Sequence, residues 1–476
     1  MTIEYVIKGG RVIDASGETF ADVLVRDGEI VGIGPDLNGS RTIDATGCVV
    51  APGLVDLHTH LREPGKEEAE TIESGSNAAA LGGYTAVLAM PNTTPAIDCA
   101  SVVRDVQAIA RGVACDVEVA GAITVGRAGE QLAPMGEMSD LGVKIFTDDG
   151  TGVQDIRLMR RALEYARGLG VTLAQHCEVS ELSAGTCMHE GEVSSRLGMP
   201  GQPAEAEELM VMRDIALARM TGARMHFLHL STAGSVAMVA SAKAAGLPVT
   251  CEAAPHHFTL TDECVSSFDP VFKVHPPLRT AGDVDAVRAG LLSGSIDAIA
   301  TDHAPHPAYE KEKPFDEAPP GMLGLEYALA LALTELGMDI AAVLARLSWK
   351  PAEIAGIADR HGAVAVGRVA NLCVIDPNHE WTIDASGERA APPTCPTWAA
   401  PCGARCATRS TAGSPRSSTT SCRASARGFV LRGATLTSLL ALQNPKGWDC
   451  GRDVACVTSM LFACCGEQSF EYGGVS

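Results

Sequence analysis

Short hydrophobic runs near both ends of the chain alternate with polar residues, which is typical of half-buried strands. The runs Tyr5–Lys8, Val23–Arg26 and Ile30–Ile33 are separated by Gly-Gly, Asp-Gly and Gly-Pro dipeptides, which favour turns between antiparallel strands. A similar run, Val369–Asp376, follows much later in the chain. We therefore predict a small β-sandwich domain that both chain ends build, from residues 1–52 and about 358–389.

Between these ends, over residues 53–357, short hydrophobic runs alternate with longer stretches of helical periodicity such as Val153–Leu169. Eight βα units in a segment of this length are typical of a TIM-type (β/α)8 barrel, whose reactive side chains stand at the carboxyl ends of the strands. The predicted fold class is therefore α/β. The eight runs are Leu54–His58, Tyr84–Leu88, Val117–Gly121, Val143–Phe146, Val171–His176, Met225–His229, Val249–Ala253 and Ala298–Thr301.

The last 87 residues, 390–476, differ in composition from the rest of the chain. They contain eight of the 16 cysteines and carry a net charge of +4, whereas residues 1–389 carry −25. They are rich in Ala, Ser, Thr, Arg and Cys and contain no Cys-x-x-Cys pair. We interpret this segment as an atypical tail, either translated out of the ancestral reading frame or disordered.

The overall charge of −21 restricts the partners that we expect. A chain this acidic supplies no basic stripe for nucleic acid or for an anionic membrane. It also has no uncharged apolar stretch that is long enough to span a bilayer, and its first residues, MTIEYVIKGG, do not resemble a signal peptide. We expect a cytoplasmic protein with reduced cysteines.

Histidines and aspartates stand at the ends of five predicted strands, where a barrel would bring them to one rim. Imidazole suits zinc, and a carboxylate between two ions can bridge them at ~3.5–4 Å. Taken singly, each residue has a simpler interpretation, such as a hydrogen-bonded core histidine or a helix cap. Their joint occurrence favours a metal centre built from His58, His60, Asp148, Asp149, His176, His229 and Asp302.

Several motifs then carry a family resemblance: VAPGLVDLHTHLREPG (50–65), AMPNT (89–93), KIFTDDG (144–150), QHCE (175–178), HLSTAGS (229–235), PHHFTL (255–260), KVHPPLR (273–279) and TDHAPH (301–306). From residue 1 to about 385 the chain resembles a dihydroorotase of the amidohydrolase superfamily. The chain resembles the bacterial type of this family, in which an aspartate rather than a carboxylated lysine bridges the two metals. The resemblance implies reversible hydrolysis of L-dihydroorotate to N-carbamoyl-L-aspartate, the third step of de novo pyrimidine (UMP) biosynthesis.

The resemblance also implies two zinc ions per subunit. The more buried ion would be held by His58, His60 and Asp302, and the more exposed one by His176 and His229. Two divalent ions lower the pKa of a shared water into the neutral range and so generate a nucleophile. Asp302 would act in catalysis by accepting a proton from this nucleophile and passing it to the departing ring nitrogen.

The sequence offers three candidates for the residue that bridges the two metals. The run Thr147-Asp148-Asp149-Gly150 contains no lysine, so a carboxylate must take the place of the modified lysine found in other relatives. The resemblance points to Asp149 and leaves Asp148 as the alternative. Lys144 lies within the strand and is the least favoured candidate.

Four residues are predicted to bind the substrate. Arg62 can meet the free carboxylate of dihydroorotate with a bidentate fork, and Asn92 can add a donor. His306 resembles a family residue that helps to hold that carboxylate. His275 stands where the family usually has asparagine, and it offers a donor and an acceptor in a different geometry.

Two other functions remain open at this point. The chain could be another cyclic amidase, a dihydropyrimidinase, hydantoinase or allantoinase, in which Arg62 is incidental. It could instead be a non-catalytic, dihydroorotase-like partner of aspartate transcarbamoylase, although all six proposed ligands are present. Relatives form homodimers or associate with aspartate transcarbamoylase, and no interface signal in the sequence selects between these states.

Overall fold

A computed structural model describes residues 3–382 and 423–431. Five strands come first: β1 (Glu4–Asp14), β2 (Gly17–Arg26), β3 (Glu29–Gly34), β4 (Thr42–Asp44) and β5 (Val49–Pro52). The next ten are β6 (Leu54–Thr59), β7 (Tyr84–Ala89), β8 (Asp116–Val119), β9 (Ile145–Thr147), β10 (Thr172–Gln175), β11 (Met188–His189), β12 (Gly201–Gln202), β13 (Arg224–Phe227), β14 (Val249–Ala253) and β15 (Ala298–Ile299). The last two are β16 (Leu372–Thr382) and β17 (Arg423–Leu431).

The α-helices fall between these strands. They are α1 (Ile72–Leu81), α2 (Ala100–Ile109), α3 (Met135–Ser139), α4 (Ile156–Leu169), α5 (Ser180–Ser183), α6 (Glu192–Leu197), α7 (Glu205–Thr221), α8 (Ala233–Ala244), α9 (Pro255–Thr259), α10 (Ala281–Ser293), α11 (Ala308–Lys311), α12 (Ala328–Glu335), α13 (Ile340–Leu344) and α14 (Lys350–Ala355).

Eight parallel strands form the barrel. One sheet contains β6, β7 and β8, and a second contains β9, β10, β13, β14 and β15, while β11 and β12 form a separate pair. The residue pairs Gly121–Phe146 and Thr59–His303 join the two sheets at both edges and close the ring. Each barrel strand overlaps one of the eight predicted runs. The prediction of a TIM-type α/β barrel is confirmed.

Helix α4 shows why the segments between the strands are helical. At its start the Asp155 side chain accepts a hydrogen bond from the backbone N–H of Leu158, and at its end Gly170 has a φ of 71°. The sequence pattern predicts a helix that begins at Val153, but the backbone of Asp155 is extended, so the helix begins at Ile156. Helical spacing places one face against the barrel, with buried residues Met159, Ala162, Leu163 and Ala166.

Both ends of the described chain meet in one seven-stranded sheet, ordered β17-β16-β5-β1-β2-β3 with β4 beside β1. Strand β16 runs antiparallel to β5 and places Cys373 opposite Ala51. This sheet has its own buried hydrophobic cluster, which includes Tyr5, Ile7 and Val23. All described strands of this region belong to this one sheet, and the β-sandwich stays a prediction.

Residues 423–431 are the described part of the predicted atypical tail, 390–476, and they form β17 beside β16. The rest of that tail, and with it the predicted frameshift or disorder, lies outside the described residues. Within residues 3–382 and 423–431, no helix is long and apolar enough to cross a membrane.

Candidate metal centre

The barrel brings all six predicted metal ligands to one rim. The first lies near the end of β6 and the second just beyond it, and the other four follow β9, β10, β13 and β15. Each is at most 6% exposed, so water has little access to their polar atoms. The six residues are His58, His60, Asp149, His176, His229 and Asp302.

Asp149 lies between two pairs of histidines. Its Oδ1 is 3.4 Å from His58 Nε2, 3.5 Å from His176 Nδ1 and 3.7 Å from His229 Nε2. Its Oδ2 is 3.6 Å from His60 Nε2. Two groups of three candidate ligands therefore share Asp149, and within each group the ligand atoms lie within 4.8 Å of one another. A carboxylate common to both groups is what a bridge between two ions requires.

The atoms of these groups match the surroundings of a cation. His58 Nε2 and Asp149 Oδ1 are buried and have no hydrogen-bond partner among the described residues. Leaving a buried polar atom unpaired costs about 1–3 kcal/mol, which a bound cation would offset. Imidazole and carboxylate are common ligands of divalent transition metals. The residues present therefore fit a two-metal centre.

Asp302 faces the first of these groups from the end of β15. Its Oδ1 lies 3.1 Å from His60 Nε2 and 3.6 Å from His58 Nε2. Burial alone would raise the pKa of this carboxyl, but the two histidines outweigh burial and hold the pKa well below its usual range. The residue has a φ of 48°, a left-handed conformation that aspartate tolerates better than most residues. Asp302 is thus an ionised acceptor at the centre.

The structure separates Asp149 from the two alternative bridging residues. Asp148 uses Oδ1 to accept hydrogen bonds from the backbone N–H groups of Ile123 and Thr124, and Oδ2 to accept from the Thr124 hydroxyl. It therefore holds a loop and points away from the histidines. Lys144 precedes β9 and is exposed. Of the three candidates, Asp149 alone contacts the predicted ligands.

Two carboxylates that sequence reasoning missed contact the second nitrogens of ligand histidines. Glu252 Oε1 lies 2.9 Å from His58 Nδ1, and Glu178 Oε2 lies 3.6 Å from His176 Nε2. The sequence does carry a signal for Glu252, which is a charged residue inside the apolar run of β14. Glu178 is two residues beyond His176, a spacing that alone indicates no function.

Arg62 lies beside the first group of ligands and is only 8% exposed. Its Nε donates to the backbone carbonyl of Pro305 at 3.1 Å, and its Nη2 lies 3.3 Å from His306 Nε2. His306 Nε2 lies 2.8 Å from the Pro320 carbonyl and must donate to it, so it cannot also accept from Arg62. No carboxylate of the described residues forms an ion pair with Arg62. Burial lowers its pKa to about 10, which leaves the guanidinium charged at neutral pH.

The four residues predicted to bind the substrate lie in different parts of the site. Arg62 and His306 lie together, and burial and the Arg62 charge lower the pKa of His306 to about 3, so its imidazole is neutral. Asn92 instead contacts the ligands, with Oδ1 2.9 Å from His60 Nδ1. His275 Nε2 lies 2.7 Å from Glu178 Oε2, on the side of the second group.

Comparisons with known proteins show which family this chain resembles. A family model described as dihydro-orotase-like matches residues 47–235. A dihydroorotase from Pelotomaculum thermopropionicum is 49% identical over 80% of this chain and 91% of its own length. A dihydroorotase from Mycobacterium tuberculosis is 50% identical over 76% of this chain and 86% of its own length.

Solved structures of the same superfamily share the fold. The structure of an L-hydantoinase (dihydropyrimidinase) from Arthrobacter aurescens superposes with a TM-score of 0.72 and 26% identity, covering 80% of this chain and 89% of the hydantoinase. The sequence relatives are more similar, and each matches along most of its own length. The chain therefore belongs to the dihydroorotase family.

Proposed function

We propose that the site hydrolyses L-dihydroorotate reversibly to N-carbamoyl-L-aspartate, the third step of de novo pyrimidine biosynthesis. Family membership makes the chain a cyclic amide hydrolase. The observation that carries the choice of substrate is Arg62, a buried guanidinium without a carboxylate partner among the described residues. Dihydroorotate carries a free carboxylate that can fill this place, whereas dihydrouracil and hydantoin do not.

The metals in this proposal are two zinc ions per subunit. One ion would be held by His58, His60 and Asp302, and the other by His176 and His229. Asp149 would bind both ions. The candidate ligands form two groups that share one carboxylate, and this arrangement supports a count of two ions. When bound, two such ions supply an activated water and polarise the ring carbonyl.

The side chains supply binding and proton transfer. Arg62 would orient the ring by its carboxylate, so that the amide carbonyl faces the rim that holds Asp149 and Asp302. His306 would join Arg62 only by turning its Nε2–H from the Pro320 carbonyl to that carboxylate. Asp302, ionised and placed at the rim, would accept the proton of the attacking water and deliver it to the departing ring nitrogen. In the ring-closing direction Asp302 would take the proton from the carbamoyl nitrogen.

Competing substrates test the assignment directly. The purified, zinc-loaded protein should hydrolyse L-dihydroorotate, with little turnover of dihydrouracil, hydantoin or allantoin under the same conditions. Turnover of the uncharged rings alone would establish a different cyclic amidase. A chain that binds no zinc and turns over none of these rings would support the non-catalytic partner of aspartate transcarbamoylase instead.

The cellular location and the assembly of the enzyme are also part of the proposed function. We infer a cytoplasmic enzyme, with a homodimer and a complex with aspartate transcarbamoylase as the two assembly hypotheses that the family resemblance suggests. Light scattering of the purified chain, alone and mixed with aspartate transcarbamoylase, distinguishes them by mass.

A further inference from the structure

Behind His58 runs a line of polar groups that the proposed reaction does not use, all of them buried except the half-buried Thr250. The Thr250 hydroxyl lies 2.8 Å from His226 Nδ1, and His226 Nε2 lies 3.0 Å from Glu252 Oε2. The other oxygen of that carboxylate, Oε1, lies 2.9 Å from His58 Nδ1. Each oxygen of Glu252 thus faces one imidazole, and the line ends at a candidate metal ligand.

Glu252 is closed off from the surface of the protein. Glu252 and His58 are fully buried, and His226 is 1% exposed. Burying an isolated carboxylate is costly, and such a group persists where its oxygens are hydrogen-bonded or paired. Each oxygen of Glu252 has such a partner, because Oε1 lies 2.9 Å from His58 Nδ1 and Oε2 lies 3.0 Å from His226 Nε2. The side chain is therefore a fixed negative charge inside the barrel wall.

We propose that Glu252 is a positioning residue that keeps the proton of His58 on Nδ1 and so directs the lone pair of Nε2 toward Asp149. The inference rests on the proposed function, because it assigns His58 to a metal. It also gives a role to β14, which contributes none of the six predicted ligands. His226 holds the second carboxylate oxygen and so prevents Glu252 from rotating away from His58.

The two histidines of the first ligand group have different supports. His58 Nδ1 faces the carboxylate of Glu252, whereas His60 Nδ1 faces the neutral amide oxygen of Asn92 at 2.9 Å. A carboxylate raises the basicity of an imidazole ligand more than an amide does, and loss of such an outer partner typically lowers metal affinity by about 10–100-fold. Metal affinity is therefore the quantity that Glu252 should control.

The test is zinc affinity of the folded protein, measured by competition with a chelator. Glu252→Gln keeps the length of the side chain and an oxygen that can accept from His58, but removes the charge. We expect its affinity for zinc at one of two sites to fall by about 10–100-fold. Activity lost at limiting zinc should return at excess zinc, because the ligands themselves are intact.

A matched control is Asp116→Asn, at the opposite end of the barrel. There His361 Nε2 lies 3.1 Å from Asp116 Oδ2, a carboxylate–histidine pair far from the rim. This variant should lose thermal stability but bind zinc as the wild type does. Were Glu252 merely structural, Glu252→Gln would behave in the same way, with a lower melting temperature and unchanged zinc affinity.

If Glu252→Gln does not fold, Glu252→Asp replaces it, since the charge is kept but drawn back from His58 by one methylene. Wild-type zinc affinity in either folded variant overturns the inference. Such a result leaves the proposed function intact as long as the wild type hydrolyses dihydroorotate. Conversely, a zinc-loaded wild type without that activity would refute the function while the binding measurements still decide the role of Glu252.

Discussion

The side-chain oxygen of Asn92 lies 2.9 Å from Nδ1 of His60, and its amide nitrogen lies 3.4 Å from Oδ2 of Asp149. Both ends of the amide therefore contact predicted metal ligands. The sequence suggested that Asn92 donates to the substrate, but these contacts favour a role in orienting His60 and Asp149.

Asn92→Ala separates these two roles. Loss of an outer partner should lower zinc affinity by about tenfold, with KM for dihydroorotate nearly unchanged once zinc is saturating. Chelator competition and steady-state kinetics at two zinc concentrations measure both quantities. A raised KM together with wild-type zinc affinity would restore the substrate-binding interpretation.

Arg62→Gln should raise KM for dihydroorotate by about 30-fold or more, because truncating one partner of a buried charge pair costs about 2–5 kcal/mol. Arg62→Lys keeps the charge but loses the planar fork, and should fall between this variant and the wild type. The surface variant Arg160→Gln, which removes an exposed pair with Glu164, serves as the control. An equal loss for dihydroorotate and dihydrouracil would contradict recognition of the carboxylate.

Asp302→Asn should lower kcat by about 10²–10⁴-fold, since general acid–base catalysis contributes effects of this size. The amide keeps the shape of the side chain but cannot accept a proton. Zinc content should be measured in parallel, and the comparison made at saturating zinc. A kcat within tenfold of the wild type would exclude Asp302 as the proton carrier.

Asp149→Asn and Lys144→Met together test the bridging residue. Both groups of ligands share the Asp149 carboxylate, so its loss should lower the zinc content below the proposed two ions per subunit. Lys144 is exposed, and its replacement should leave zinc content and activity unchanged. Elemental analysis of the purified variants measures the number of zinc ions per subunit. Zinc loss in Lys144→Met would instead indicate a modified lysine ligand.

The stability of the metal-free protein should depend on pH through His256. Burial lowers its pKa to about 4, whereas the same residue in an unfolded chain titrates near 6.5. Between these values the unfolded chain binds a proton that the folded protein does not. This residue therefore contributes full stability above about pH 6.5 and loses it as pH falls toward 4, by about 3 kcal/mol in total.

His256→Gln removes this dependence. Between pH 7 and pH 4, its free energy of unfolding in urea should fall by about 3 kcal/mol less than that of the wild type. Parallel curves for the two proteins over this range would show that His256 does not titrate as its burial implies.

The sequence predicted the barrel and its rim well, because strand spacing and strand-end residues follow directly from local patterns. The local pattern does not distinguish Asp148 from Asp149, and only the family resemblance favours Asp149, since neighbouring residues in a loop have the same local context and differ only in the path of the backbone. It missed Glu252, whose partner His58 is 194 residues away in the chain. Contacts of this kind depend on how the strands pack against one another, and they cannot be predicted from the local pattern of a single sequence.

The pairing of Ala51 with Cys373 has a consequence for how the chain folds. Strand β5 immediately precedes the barrel, yet its neighbour β16 is synthesised about 320 residues later. Until then β5 is an open edge with unpaired backbone groups, which can pair with another chain. A ribosome that stalls before residue 372 should therefore release an aggregation-prone product, even with every barrel strand complete.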